Sequence, residues 1–283
     1  MYSRALALFI LLATFFVPST FAENLSPHIA QRVITLSPHA TELAYSAGLG
    51  PKLVGVSQAS DYPLAAQKIE QVANYQGIKL ERILALQPDL VIAWKKNASS
   101  RELEQLEKFG IPIYYSSIDS LDDISKNLRQ LSLWASDPSI GQKNAAIFDA
   151  TLEQLRARYQ TQSKVRYFYQ LSQKPMMSVT TPNWPTDIFH LCGGENILTD
   201  NTVAYPQVGV EQVIALKPDV IFTPQAATTT DTIWKNWPHI PAVKNNFVWS
   251  LNPDWSSRPT MRSLKAIKQV CDYFDQARST YAK

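Results

Sequence analysis

The chain carries one pattern twice. Glu81-Arg-Ile-Leu-Ala-Leu-Gln-Pro-Asp-Leu-Val-Ile runs to Ile92, and Glu211-Gln-Val-Ile-Ala-Leu-Lys-Pro-Asp-Val-Ile-Phe runs to Phe222. Glu, Ala, Leu, Pro and Asp fall at the same offsets, and the positions between them are apolar in kind. Each copy predicts a short helix opened by its glutamate, because a carboxylate suits the positive end of the helix dipole. Pro88 and Pro218 cannot continue that helix. The apolar run after each proline reads as a buried parallel strand. Two copies this far apart predict two similar lobes rather than a short-period solenoid.

The remainder alternates between strand and helix. In the first lobe, Val33 to Leu36, Leu53 to Val56, Leu90 to Trp94 and Ile111 to Tyr115 are expected strands. Helices are expected between them near Thr41–Ala47, Arg101–Phe109 and Leu121–Leu133. In the second lobe, Val165 to Leu171, Met176 to Val179, Val220 to Phe222 and Phe247 to Leu251 take the strand part, followed by a helix from about Thr260 to Ala277. Phe148, Leu152, Leu155 and Tyr159 form one apolar stripe at helical spacing. No Gly/Ser linker separates the lobes, so a helix over residues 138–162 is expected to join them stiffly. The predicted fold class is α/β, with mostly parallel sheets in an N-terminal lobe over residues 23–137 and a C-terminal lobe over residues 163–283.

Met1 to Ala22 has one positive charge at Arg4, an apolar run from Ala5 to Val17 and small residues before a cut at Ala22. That layout predicts a secretory signal peptide. The apolar run is shorter than the ~20 residues that span a bilayer. An exported chain meets an oxidising compartment, so the two cysteines, Cys192 and Cys271, are expected to form a structural disulfide. Net charge is only +3 with dispersed Lys and Arg, which leaves no electrostatic footprint for nucleic acid.

The segment Arg32-Val-Ile-Thr-Leu-Ser-Pro-His-Ala-Thr-Glu-Leu resembles the first strand and helix of the helical-backbone class of periplasmic binding proteins. Further segments carry the likeness: Ser60-Asp-Tyr-Pro, Gln67-Lys-Ile-Glu-Gln-Val, Tyr75-Gln-Gly, Tyr205-Pro-Gln-Val and Asp254-Trp255 with Arg258. Together with Cys192-Gly-Gly-Glu-Asn-Ile, the Asp-Trp segment favours the cobalamin-binding branch of that class. The resemblance implies a ligand cleft between the lobes, cobalamin as the transported ligand with no catalytic cofactor, and delivery to the permease–ATPase complex of an ABC importer at the inner membrane. It implies a periplasmic location, and a monomer is the expected state.

By the same resemblance, Glu81 and Glu211 map onto two docking glutamates that pair with arginines of the permease. Two carboxylates on similar lobes suit a two-fold symmetric partner, and exposed pairs supply orientation more than affinity. Taken alone, each is also an ordinary solvated glutamate at a helix start. The implied ligand contacts are Tyr75, Tyr205 and the stretch Asp254, Trp255, Ser256, Ser257 and Arg258, with Trp94 a further candidate. Aromatic walls pack against the apolar rim of a corrin ring, while Asp254 and Arg258 match its amide fringe. Three departures bear on ligand choice. Ala59 stands where a tyrosine is expected, Ser256 and Ser257 replace a bulkier pair, and Tyr75 and Tyr205 occupy positions often held by tryptophan.

His39 follows the first strand and reads first as a surface-loop residue, with an axial contact to cobalt as the sharper alternative. The four histidines, His28, His39, His190 and His239, do not cluster in sequence, which argues against a bare metal ion as ligand. Haem held by one of twelve tyrosines remains an alternative within the class; a ferric siderophore would favour a basic cleft that no arginine cluster provides. The reading from another class is a secreted hydrolase using Glu81 and Glu211 as an acid–base pair. No Gly-x-Ser-x-Gly or His-Glu-x-x-His motif supports it, and the resemblance sets both glutamates on the outer surface.

Overall fold

The computed structural model describes residues 28–95, 100–199, 203–224 and 233–281; the expected signal peptide, Met1 to Ala22, lies outside them. The first lobe runs β1 (Val33–Thr35), α1 (Pro38–Ser46), β2 (Leu53–Ser57), β3 (Gln71–Asn74), β4 (Gly77–Ile78), α2 (Leu80–Ala85), β5 (Leu90–Trp94), α3 (Arg101–Lys108), β6 (Ile113–Ser116) and α4 (Asp122–Ser132). The helix α5 (Ser139–Tyr159) follows. The second lobe contains β7 (Val165–Tyr169), β8 (Ser172–Gln173), β9 (Met176–Met177), α6 (Thr186–Leu191), β10 (Gly194–Asn196), α7 (Val210–Leu216) and β11 (Val220–Pro224). It closes with α8 (Pro241–Lys244), β12 (Val248–Leu251), α9 (Pro253–Ser256) and α10 (Ser263–Tyr281).

The first sheet has the order β4-β3-β2-β1-β5-β6, parallel except where β4 turns back on β3. The second has the order β10-β7-β11-β12 and is parallel throughout. Of Met176 to Val179, expected in that sheet, only Met176–Met177 is strand, and it forms a separate two-stranded hairpin with β8. The place beside β7 is taken by β10, a three-residue strand.

The repeated pattern has one structural meaning in both lobes. Asp89 accepts from the backbone N–H groups of Gln31 and Arg32 at 2.8 and 2.9 Å, pinning the entry to β1. Asp219 accepts from Arg166 N at 2.9 Å and pins β7 in the same way. Gln87 and Lys217 each adopt φ 46°, the left-handed turn that ends the repeat helix before its proline. That conformation costs a residue with a Cβ roughly 1 kcal/mol, so its recurrence marks a turn that each lobe requires.

The helix α5 ties the lobes together. Its 21 residues span about 30 Å. Gly141 lets it approach α4, because a Cβ there would meet Ser132 Cβ at 2.5 Å and Leu128 O at 2.9 Å. Phe148, Leu152 and Tyr159 are buried, in a cluster that continues from Leu43 and Leu128 of the first lobe to Phe189 and Phe274 of the second. Arg156 makes a two-pronged bond to Asp122, and Tyr159 donates to Asp275 of α10 at 2.8 Å. A shared core of this kind permits only small relative movement of the lobes.

Candidate functional site

In each sheet the strand order reverses beside the first strand of the lobe: β2 lies on one side of β1 and β5 on the other, and β10 and β11 flank β7 likewise. Such reversals open a crevice beyond the carboxyl ends of the strands. His39 lies just after β1, Trp94 ends β5, and Leu171 lies just after β7. These three residues meet in one cleft of ≈ 220 Å³, with Ile118, Trp184, Pro185, Tyr205, Ser257 and Pro259 completing its walls. Both lobes contribute, so the cleft lies between them.

Trp94 also borders an adjoining hollow of ≈ 450 Å³, lined on its far side by Tyr75. Tyr75 is 87% exposed and Tyr205 42% exposed, leaving both rings open to a ligand. Tyr205 donates to Trp184 O at 3.3 Å, which fixes its ring against the second lobe. Tyr75, Trp94 and Tyr205 thus form a continuous aromatic margin on the two lobes. A large flat ligand with an apolar rim would find packing surface along it.

The stretch Asp254 to Arg258 is organised differently. Asn252 caps α9 by accepting from Asp254 N at 2.9 Å. Ser257 lines the cleft, but Ser256 is fully buried, with its hydroxyl 3.4 Å from that of Tyr169. Trp255 packs on the core with Lys265 over its ring at 5.4 Å. Arg258 is engaged across the cleft, with Nη1 donating to Asp61 at 2.5 Å and Glu42 at 3.3 Å, and Nη2 3.2 Å from Asp254. Arg262 adds two bonds to Glu42, at 2.5 and 2.9 Å.

Glu42, Asp61 and Arg262 were not singled out by sequence. Only their neighbours in space give them meaning: Glu42 is 3% exposed on an otherwise buried face of α1. A hydroxyl chain, Thr35–Thr41–Ser60–Ser57 at 2.7, 2.8 and 3.1 Å, holds the loop that presents Asp61. The guanidinium of Arg258, through its bond to Asp61, holds that carboxyl below the usual carboxylate range. Ala59, on the same loop, is exposed in the left-handed conformation at φ 63°.

His39 corrects the sequence reading. It is no surface-loop residue: it is 6% exposed, in the first turn of α1, with its ring edge-on to Trp94 at 5.4 Å. Burial, reinforced by the charge of Arg258, lowers its pKa to about 4. The strand-order reversal next to β1 is the signal that would have marked it, since the residues after β1 and β5 must then face the crevice.

Glu81 and Glu211 lie in the first turns of α2 and α7, both exposed, and from Glu81 to Leu90 the pattern of burial repeats residue for residue from Glu211 to Val220. Cys192 and Cys271 form the expected disulfide, joining the end of α6 to α10. Among the described residues no group of three or more His, Cys, Asp or Glu is placed to hold a metal ion.

An aromatic-margined cleft between two α/β lobes that share a rigid helix is the architecture of a solute-binding protein. The chain belongs to the periplasmic binding protein family, whose model matches residues 33–255. It is 55% identical over 250 residues to the vitamin B12-binding protein of Vibrio campbellii, an alignment that covers 88% of this chain and 91% of that one. Its fold matches the crystal structure of the periplasmic vitamin B12 binding protein BtuF of Vibrio cholerae with a TM-score of 0.85 and 48% identity, covering 89% of this chain and 99% of that one. The heme-binding protein BhuT, solved with two hemes, matches at TM-score 0.77 and 17% identity over 87% of this chain and 98% of that one, a likeness of fold alone.

Proposed function

We infer that the chain binds vitamin B12 in the cleft between its lobes and delivers it to an ABC importer. The observation that carries this reading is the 55% identity, across nearly the whole described chain, to a vitamin B12-binding protein. The aromatic margin of Tyr75, Trp94 and Tyr205 agrees with a broad, apolar-rimmed ligand. Corrinoid is the transported cargo, not a catalytic cofactor.

Several finer elements belong to the same proposal. Tyr75, Trp94, Tyr205 and the Asp254–Arg258 stretch, with Trp255, Ser256 and Ser257, are the ligand-binding set. Within it Ser257 touches the cleft wall directly, whereas Ser256 acts from behind it. Glu81 and Glu211 dock the loaded protein on the permease, supported by their exposure at matching positions of the two lobes. The lobes divide as residues 23–137 and 163–283, joined by residues 138–162. The protein works as a monomer in the periplasm after removal of Met1 to Ala22, and it catalyses no reaction.

Calorimetric titration of the purified mature protein with cyanocobalamin, with haemin and a ferric siderophore in parallel, tests the reading. Saturable one-to-one binding of cyanocobalamin alone is the expected result. Heat from haemin or siderophore with none from cyanocobalamin would move the protein to another branch of the family.

A further inference from the structure

The cleft wall is apolar and aromatic except at a few points, and most of its polar groups are already engaged. Tyr205 donates to a backbone carbonyl, and Arg258 is held by three carboxylates. His39 is different. Its one hydrogen-bond contact among the described residues is from Nε2 to Ser37 Oγ at 3.5 Å, the outer limit of such a bond. Ser37 is itself occupied as the cap of α1, accepting from Ala40 N at 3.4 Å. Nδ1 has no hydrogen-bond partner among the described residues, so in the tautomer whose Nε2–H points to Ser37 Oγ the Nδ1 lone pair is unused by the protein.

Its position is well defined. The ring is wedged edge-on against Trp94 where β1 and β5 part, on the side of the cleft opposite Leu171, Trp184 and Tyr205. A flat macrocycle resting on the aromatic margin would present its centre, not its amide fringe, to a group standing in that wall. Imidazole is a good ligand for late first-row transition metals, and it binds through the unprotonated nitrogen.

We propose that His39 ligates the cobalt of corrinoids whose axial ligand can be exchanged, making the protein discriminate among cobalamins by that ligand. This rests on the vitamin B12 reading given above. In the step proposed, the imidazole lone pair forms a bond to cobalt(III) as the bond from cobalt to its axial water breaks. The water leaves, cobalt keeps its oxidation state, and no proton moves. A corrinoid carrying cyanide does not exchange readily and is held by the cleft alone. The depressed pKa of the buried ring, about 4, keeps the nitrogen unprotonated from mildly acid to neutral pH.

The test is a visible-absorption titration of aquocobalamin and cyanocobalamin with the full protein and with His39→Ala and His39→Gln. The expected result is a shift of the aquocobalamin spectrum on binding to the unaltered protein, absent in both variants. Loss of the His39 wall contact can weaken both corrinoids, but aquocobalamin affinity should fall about tenfold or more beyond any fall in cyanocobalamin affinity. Cyanocobalamin binding by the variants also shows that they are folded. An unshifted aquocobalamin spectrum with the unaltered protein, or equal loss of both corrinoids in the variants, overturns the ligation while leaving the vitamin B12 reading intact. Failure of the unaltered protein to bind cyanocobalamin overturns both.

Discussion

Arg258 of the second lobe donates to Asp61 of the first at 2.5 Å, although the two lie 197 residues apart in the chain. The same guanidinium reaches Glu42, and Arg262 grips that carboxylate with two further bonds. Thr260 supplies a fourth donor to Glu42 at 3.0 Å. The lobes are thus joined beside the cleft by charges as well as behind it by α5. A ligand that uses Arg258 shares it with this network.

The two arginines should not contribute equally. Glu42 has a side chain only 3% exposed, whereas that of Asp61 is 49% exposed. Removing Arg262 leaves a buried carboxylate short of its two closest donors, a loss on the order of 3 kcal/mol. Removing Arg258 leaves Asp61 free to be hydrated and takes from Glu42 only the longest of its four bonds, so the loss should be about 1 kcal/mol. Urea unfolding of Arg262→Ala and Arg258→Ala checks this, and equal losses would show that burial of Glu42 is not what sets the cost.

Glu81 and Glu211 should separate binding from delivery. Both are exposed and neither is bonded across the cleft among the described residues, so Glu81→Ala with Glu211→Ala should change folding stability by no more than about 0.5 kcal/mol each. Cyanocobalamin affinity should be unchanged, while uptake through the reconstituted importer is lost. Normal uptake with the double variant would remove the docking role from these residues.

The disulfide joins residues 79 apart in sequence and closes a loop that holds β10, α7, β11 and β12. In the chain-entropy description such a loop contributes about 4.5 kcal/mol, an upper figure for real bridges. Both sulfurs lie in the main core, beside Phe189 and Phe274. The pair Cys192→Ala with Cys271→Ala should therefore lose about 3 kcal/mol or more in equilibrium unfolding, and dithiothreitol should have no further effect on it. A loss below about 1 kcal/mol would mean that the packing of α6 on α10 suffices without the bond.

How far the sequence reveals all this depends on the kind of interaction. The repeat was legible because Pro88, Asp89, Pro218 and Asp219 act locally, breaking a helix and pinning the nearby strand of each sheet. The strand β5 was legible at both ends because it is a buried apolar run. By contrast, β10 is Gly194-Glu195-Asn196, too short and too polar to show a period. Its place is set by pairing with β7 and by the close approach of Phe274, whose ring lies 2.6 Å from where a Gly194 side chain would begin. The aromatic candidates on the cleft were found through resemblance. The Glu42–Arg262 pair arises only when the lobes face each other, and the place of His39 follows from the strand order around β1; no local periodicity encodes either.

His39 should leave a mark on the pH dependence of stability. Its pKa falls from 6.5 to about 4 in the folded chain, because burial and then Arg258 disfavour the imidazolium. Between those values the unfolded chain binds the proton and the folded chain does not, so stability rises with pH across that window. The contribution is complete above about pH 6.5, falls as the pH is lowered, and levels off below about pH 4. The full difference corresponds to about 3 kcal/mol. Carboxylates such as Asp61 also titrate at the acid end, but they are common to the unaltered protein and His39→Gln. The difference in unfolding free energy between the two, measured from pH 4 to 8, should therefore isolate the histidine. That difference should be flat above pH 7 and shift against the unaltered protein as the pH drops. Parallel curves over the whole range would mean that the ring is protonated without cost, and hence that water reaches it in the folded state.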